Sequence, residues 1–138
     1  MRERKSAFTL VEILIVIGLL AILAVVTFVI INPAQRINAA NDTQRREEVR
    51  EIQKAIEVYS TQNGGSLPTV SGNSLPVVTN ANVLTLGAPA STLDGFTPVY
   101  MKAIPLDPSG SEYRVGILAN QQVIVGTTLS DGNPFIIP

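Results

Sequence analysis

Cysteine, histidine and tryptophan are all absent from the 138 residues. Without thiol or imidazole the chain has no disulfide staple, no Cys or His nucleophile or base, and nearly no route to a zinc site. Catalysis would have to rest on carboxylates, Ser/Thr, Lys or Tyr, and the sequence points to none; no enzyme is expected. An excess of positive charge is also missing. Ten Lys and Arg stand against eleven Asp and Glu, a formal net charge of −1. That argues against a nucleic-acid surface built on bulk positive charge. The acids of the C-terminal half, Asp94, Asp107, Glu112 and Asp131, are scattered. They form no D-x-D-x-D-G loop with a closing Glu, so neither a metal nor a cofactor is expected.

What is present is one dense apolar block. Ile13 to Ile31 is nineteen residues without a charge, and the apolar stretch begins at Phe8. About twenty residues cross the hydrocarbon core of a bilayer at 1.5 Å per residue, so the block is long enough to span. Arg2, Arg4 and Lys5 precede it against the single acid Glu3, which holds that side in the cytoplasm. A cleaved secretory signal is shorter and carries a small-residue site after its apolar run; here none follows at once. By hydropathy alone the block is an uncleaved signal anchor. One carboxylate, Glu12, lies near its start. A charge at the centre of such a helix costs about 2.5–3.5 kcal/mol on insertion scales. Nearer the end the cost is smaller, but something must offset it.

The order basic leader, small residue, then FTLVEILIVIGLLAIL resembles the N-terminus of type IV pilins and pseudopilins, the class III signal. The resemblance implies a leader at residues 1–7, cut between Ala7 and Phe8 on the cytoplasmic side by an integral-membrane aspartic prepilin peptidase that also N-methylates Phe8. Ala7 stands where the family usually has Gly. Cleavage creates a positive amine at Phe8, four residues and about 6 Å along a helix from Glu12. A cation and a carboxylate that must both enter a low-dielectric place relieve each other's cost if they meet. The resemblance implies that Glu12 of one copy meets the Phe8 amine of the next in a helical filament of identical subunits. Glu12 and Phe8 are therefore the expected assembly residues. The implied partners are the peptidase and methylase, the membrane, identical subunits and an inner-membrane assembly platform.

The helical pattern continues past the membrane. Pro33 cannot donate to the carbonyl of Val29 and crowds that turn, so a kink is expected at Asn32-Pro33. From Ala34 to Thr61 there is neither Pro nor Gly. Val49, Ile52, Ile56 and Tyr59 recur at helical spacing and predict one apolar stripe against a packed domain. DTQRREEVREIQK reads as a solvated face, with Asp42–Arg46, Glu47–Arg50 and Glu51–Lys54 spaced as ion pairs. Gly64-Gly65 ends the pattern and Pro68 stops its resumption. A helix from Phe8 to about Gln62 would be about 80 Å long. Heptads do not persist through residues 38–48, which weakens a coiled coil.

Residues 66–99 are rich in Ser, Thr, Asn, Gly and Pro. They read as irregular connection, with one or two short strands among Leu75–Val78 and Val83–Leu86. Tyr100-Met101-Lys102, Ile104-Pro105, Asp107-Pro108, Gly110 and Tyr113 resemble the Y-x-K-x-(I/L)-P-x-D-P-x-G-x-x-Y pattern of major pseudopilins and small pilins. Asp107-Pro108-Ser109-Gly110 is a turn in which the Asp side chain caps backbone amides. Tyr113–Leu118 and Gln122–Thr127 then predict an antiparallel hairpin turning near Asn120, and Asp131-Gly132-Asn133-Pro134 a further turn before an apolar end. The expected fold is α+β: a long N-terminal helix over 8–62, its first part (8–31) the transmembrane and assembly segment, with a small antiparallel sheet from a 63–138 domain packed on its C-terminal half. The expected function is a structural subunit of a type IV pilus-like filament, stored in the inner membrane and then exported. The alternatives are a major pseudopilin of a type II secretion system, acting in the periplasm, and a monomeric signal-anchored binding module.

Overall fold

The structure, a computed structural model, describes residues 8–138; the leader and Ala7 lie outside the described residues. The chain divides into two compact units at Ile37/Asn38. Helix α1 runs Leu10–Ile31 and helix α2 runs Pro33–Gln62. Between them Asn32 takes a left-handed conformation, φ 39° and ψ 74°. A residue before proline is disfavoured in the α region, and Asn is among the few that tolerate left-handed backbone. Pro33 then occupies the first position of α2, where its missing N–H costs nothing, and Asn32 O accepts from the amides of Gln35 and Arg36. The continuous helix expected from the sequence is therefore interrupted by one residue.

The second unit is built on α2. Val49, Ile52, Ala55 and Ile56 are buried along one face, and Tyr59 packs at its edge. The helix ends where expected: Gly64 and Gly65 both take positive φ, and the amide of Gly65 donates back to Ser60 O at 2.8 Å. After a short helix α3 (Val83–Leu86) come four strands, β1 (Ala88–Pro89), β2 (Arg114–Ile117), β3 (Val123–Thr128) and β4 (Pro134–Ile137). They form one antiparallel sheet in the order β1-β2-β3-β4, with Val115 opposite Val125 and Val125 opposite Ile137. The predicted hairpin is β2–β3, with Gln121 at positive φ in its turn. Val83–Leu86 is helical rather than a strand, and the apolar end is strand β4. The α+β expectation agrees with the structure.

Both faces of the sheet are covered. Val115, Ile117 and Val125 point to the main core with α2, Leu75, Leu93, Phe96 and Tyr113. The alternate residues face the other way, where Ile124 packs with Val78 and Val83 in a smaller core. On that face β2 and β3 carry Gly116 and Gly126. A Cβ on Gly116 would stand 2.3 Å from Val78 Cγ2, and one on Gly126 3.1 Å from Val83 Cγ1. These two glycines let the chain between Val78 and Leu84 lie directly on the sheet.

A fragment beginning at Asn38 is expected to be soluble and monomeric, because it retains the whole buried core and lacks the apolar segment. In it, Gly116→Ala should force Val78 off the sheet at a cost of about 1–3 kcal/mol. A melt recorded by circular dichroism should fall by about 4 °C or more; an unchanged midpoint would mean the close approach is not constrained.

Candidate functional site: an apolar helix with one carboxylate, and a buried arginine

The first candidate is α1. An amphipathic helix hides one face, but α1 is apolar all round, and its described side chains from Phe8 to Ile30 are exposed. It is long and apolar enough to cross a membrane. Its one interior hydroxyl, on Thr27, is satisfied by donating to Leu23 O at 2.8 Å. Phe8 precedes the helix and is 76% exposed. Thr9 is the N-cap, and its Oγ1 accepts from the amide of Glu12 at 3.2 Å. Thr9-x-x-Glu12 is thus half of a capping box, in which the N3 side chain can return to the N-cap amide.

Glu12 accordingly sits in the first turn, where the helix dipole favours a negative charge. That is a structural benefit within a single chain, which the transfer cost considered alone does not reveal. The T-x-x-E spacing was the signal for it. Of the expected site residues, Phe8 directly precedes the N-cap, Glu12 lies in the first turn of α1, Pro33 opens α2, and Ala7 lies outside the described residues; Thr9 was not anticipated.

The second candidate was not anticipated. Arg45, in the run read as a solvated face, is only 2% exposed. Its five N–H donors are all used. Nε donates to Asp107 Oδ2 at 2.6 Å; Nη2 donates to Asp107 Oδ1 at 3.0 Å and to Ser109 Oγ at 2.8 Å. Nη1 donates to Asp42 Oδ1 at 2.6 Å and to Ser130 Oγ at 2.8 Å. The two serine hydroxyls pass the chain on, Ser109 to Asp107 and Ser130 to Asp42. Asp107 also accepts from the amide of Ser109, the turn cap expected of it. One guanidinium therefore ties α2 to the turn before β2 and to the turn between β3 and β4.

Burial opposes ionisation of Asp107, but the hydrogen bonds from Arg45 and Ser109 outweigh it and hold the carboxyl below the usual aspartate range. Asp42 is likewise held down, its desolvation outweighed by Ser130 and Arg45. The hydrogen bond to Asp107 keeps Arg45 charged. Next to this network Tyr113 donates to Glu48, and burial with that acceptor pushes its phenol well above the ordinary value.

The ion pairs expected from spacing are corrected accordingly. Asp42 pairs with Arg45 and not Arg46, whose guanidinium lies 4.5 Å from the centre of the Phe135 ring. Among the described residues Glu47–Arg50 and Glu51–Lys54 form no ion pair, although these side chains are exposed as expected. Of the scattered acids, Asp94 binds the Gly72 amide and the Thr69 hydroxyl, Asp131 the Asn133 amide and Glu112 Arg114. Among the described residues no three His, Cys, Asp or Glu gather as metal ligands.

Because both folded-state pKa values lie below the unfolded one, the stability these carboxylates contribute is complete above about pH 4 and is lost as pH falls below it. Arg45→Met reverses the sign at Asp107: a buried carboxylate without its cation ionises reluctantly, so that variant gains relative stability as pH falls. At pH 7 the loss should be about 3–5 kcal/mol. Urea melts of the Asn38 fragment should show this deficit shrinking from pH 7 to pH 4; a constant deficit would contradict the pairing.

Residues 2–28 match the family model described as the prokaryotic N-terminal methylation motif. Over 123 residues the chain is 29% identical to type II secretion system core protein G of Pseudomonas aeruginosa, covering 82% of this chain and 74% of that protein. It is also 29% identical over 114 residues to type II secretion system core protein G of Aeromonas hydrophila, covering 83% of this chain and 74% of that protein. No solved structure matches the chain.

Proposed function

We propose that this chain, a structural subunit of the pilin and pseudopilin class with a prepilin-type N-terminus, is held in the inner membrane by α1, cut before Phe8, N-methylated there and polymerised through α1 into a pseudopilus. The class is structural rather than enzymatic, and it implies processing by a prepilin peptidase and assembly with identical subunits. The single observation that carries the reading is α1 itself. It is exposed and apolar on every side in one chain, and its only charge stands in its first turn. Lipid can surround such a helix in the stored form, and copies of itself can surround it in a filament. Likeness to two core G proteins over about four-fifths of the chain supports a type II secretion fibre over a type IV pilus. In this reading the assembly platform takes the cut subunit from the membrane.

In this scheme the Phe8 amine of one copy pairs with Glu12 of the next. Both charges leave water, and together they cost less than either alone. Mass spectrometry of protein from the native cell should show a chain that begins at N-methylated Phe8; one that still begins at Met1, or begins beyond residue 24, sinks the processing scheme.

Glu12→Gln separates charge from capping, since Gln also serves at the third position of a capping box. Insertion becomes slightly easier, while the Phe8 amine loses its partner at a cost of about 3–5 kcal/mol in the filament. Processing should continue, with the cut chain moving from the sheared-fibre fraction into the membrane fraction. A normal fibre yield would show that Glu12 is not the amine's partner.

A further inference from the structure

Asn63 is the one asparagine of the chain that glycine follows. It lies exposed just past the end of α2, before Gly64 and Gly65 at their positive φ. Its side-chain amide joins two segments: Nδ2 donates to Tyr59 O at 2.8 Å and to the Tyr100 hydroxyl at 3.0 Å. The last turn of α2 is thereby tied to the loop that carries Tyr100.

Asparagine is a thermolabile residue, because the backbone nitrogen that follows it can attack its Cγ and close a five-membered ring. That attack needs an N–H on the next residue, which excludes Asn32 and Asn133, since proline follows each. It also needs room. Gly64 has no side chain, and nothing lies within 4 Å of where a Cβ would stand on Gly64 or on Gly65. The attacking nitrogen must be free as well, and among the described residues the Gly64 amide finds no acceptor. Asp94-Gly95 and Asp131-Gly132 could close the same ring. Their carboxyls, however, are kept ionised by hydrogen bonds, Asp94 by the Gly72 amide and Thr69, Asp131 by Asn133. A carboxylate is a poor target for a nucleophile.

We propose that Asn63-Gly64 is a self-modifying site, which converts without an enzyme to aspartate and isoaspartate and so loosens the tie between α2 and the Tyr100 loop. The Gly64 nitrogen gives up its proton and bonds to Asn63 Cγ; the Cγ–Nδ2 bond breaks, and ammonia leaves with that proton. Water then opens the cyclic imide at one of its two C–N bonds. Breaking the bond at Cγ gives aspartate; breaking the bond at the backbone carbonyl carbon of residue 63 gives isoaspartate, with the main chain running through Cβ. Nothing is oxidised or reduced. Either product carries a carboxylate, which only accepts, where two donors stood. It cannot donate to Tyr59 O, and it puts a negative charge at the helix end where the dipole disfavours one. The two hydrogen bonds act as a brake, because Nδ2 must leave both before it can depart. This inference does not depend on filament assembly.

The test uses the full-length chain, purified in detergent and kept warm in mildly alkaline buffer. Mass spectrometry of the tryptic peptide 55–102 should show the amide-to-acid shift at Asn63 before it appears at Asn73, Asn80 or Asn82. Part of the product should be labelled by an isoaspartyl methyltransferase. Tyr100→Phe removes one acceptor and should hasten the change. Asn63→Asp reproduces one product. Its melt, followed by the near-ultraviolet signal of the three tyrosines, all in the second unit, should lie about 4–8 °C below that of the unmodified chain, the scale of one lost hydrogen bond. A shift that appears first at another asparagine, or a product without isoaspartate, overturns the site. A rate unaltered by Tyr100→Phe overturns the brake, and an unchanged melt of Asn63→Asp overturns the loosening.

Discussion

A guanidinium cannot shed its proton at any accessible pH, so a buried arginine must be given acceptors for every donor. Arg45 imposes that condition on the globular unit. It is met only when Asp107 and Ser109, from the turn before β2, and Ser130, from the turn before β4, arrive at one level of α2. The apolar stripe of Val49, Ile52 and Ile56 supplies attraction without direction, since burial of aliphatic surface is nearly indifferent to small sliding. The forked pair with Asp107 supplies direction. Replacing a buried ion pair by well-packed apolar groups is often neutral for stability. Its contribution here lies in fixing the height and rotation of the helix against the sheet, and so the position of every loop attached to it.

The two units solve opposite problems. α1 leaves its apolar surface bare and so needs lipid or other copies around it. The unit from Asn38 onward buries its own apolar surface on both faces of the sheet and needs neither. A chain assembled this way can be stored through one part while the other is already folded. Glu12 belongs to both accounts: in the single helix its charge is eased by the N-terminal turn, and in the proposed filament by a neighbour's amine.

Features written locally were legible from the residues. The stripe on α2, its end at Gly64-Gly65, the β2–β3 hairpin and the Asp107 cap each depend on a few neighbouring side chains. The Arg45–Asp107 pair spans 62 positions, and a run of alternating charge gives no sign that one member turns inward. Val83–Leu86 is too short for periodicity to separate helix from strand, and the final apolar residues became β4 only through pairing with β3. The apolar helix α1 was legible because nineteen uncharged residues in a row admit few readings. The Thr9 cap on the Glu12 amide was written in the Thr9-x-x-Glu12 spacing.

Gly116 and Gly126 reach beyond their own strands. By omitting two methyl groups on one side, β2 and β3 accept a covering layer made from irregular chain instead of a second sheet or helix. Proteins anchored side by side in a membrane meet repeatedly at one height, and a naked aliphatic sheet face would make such encounters adhesive. Here that face is already clothed by residues of the same chain. What neighbours can read is confined to loops, strand edges and the charged side of α2, so in the proposed membrane-stored form crowding need not become clumping.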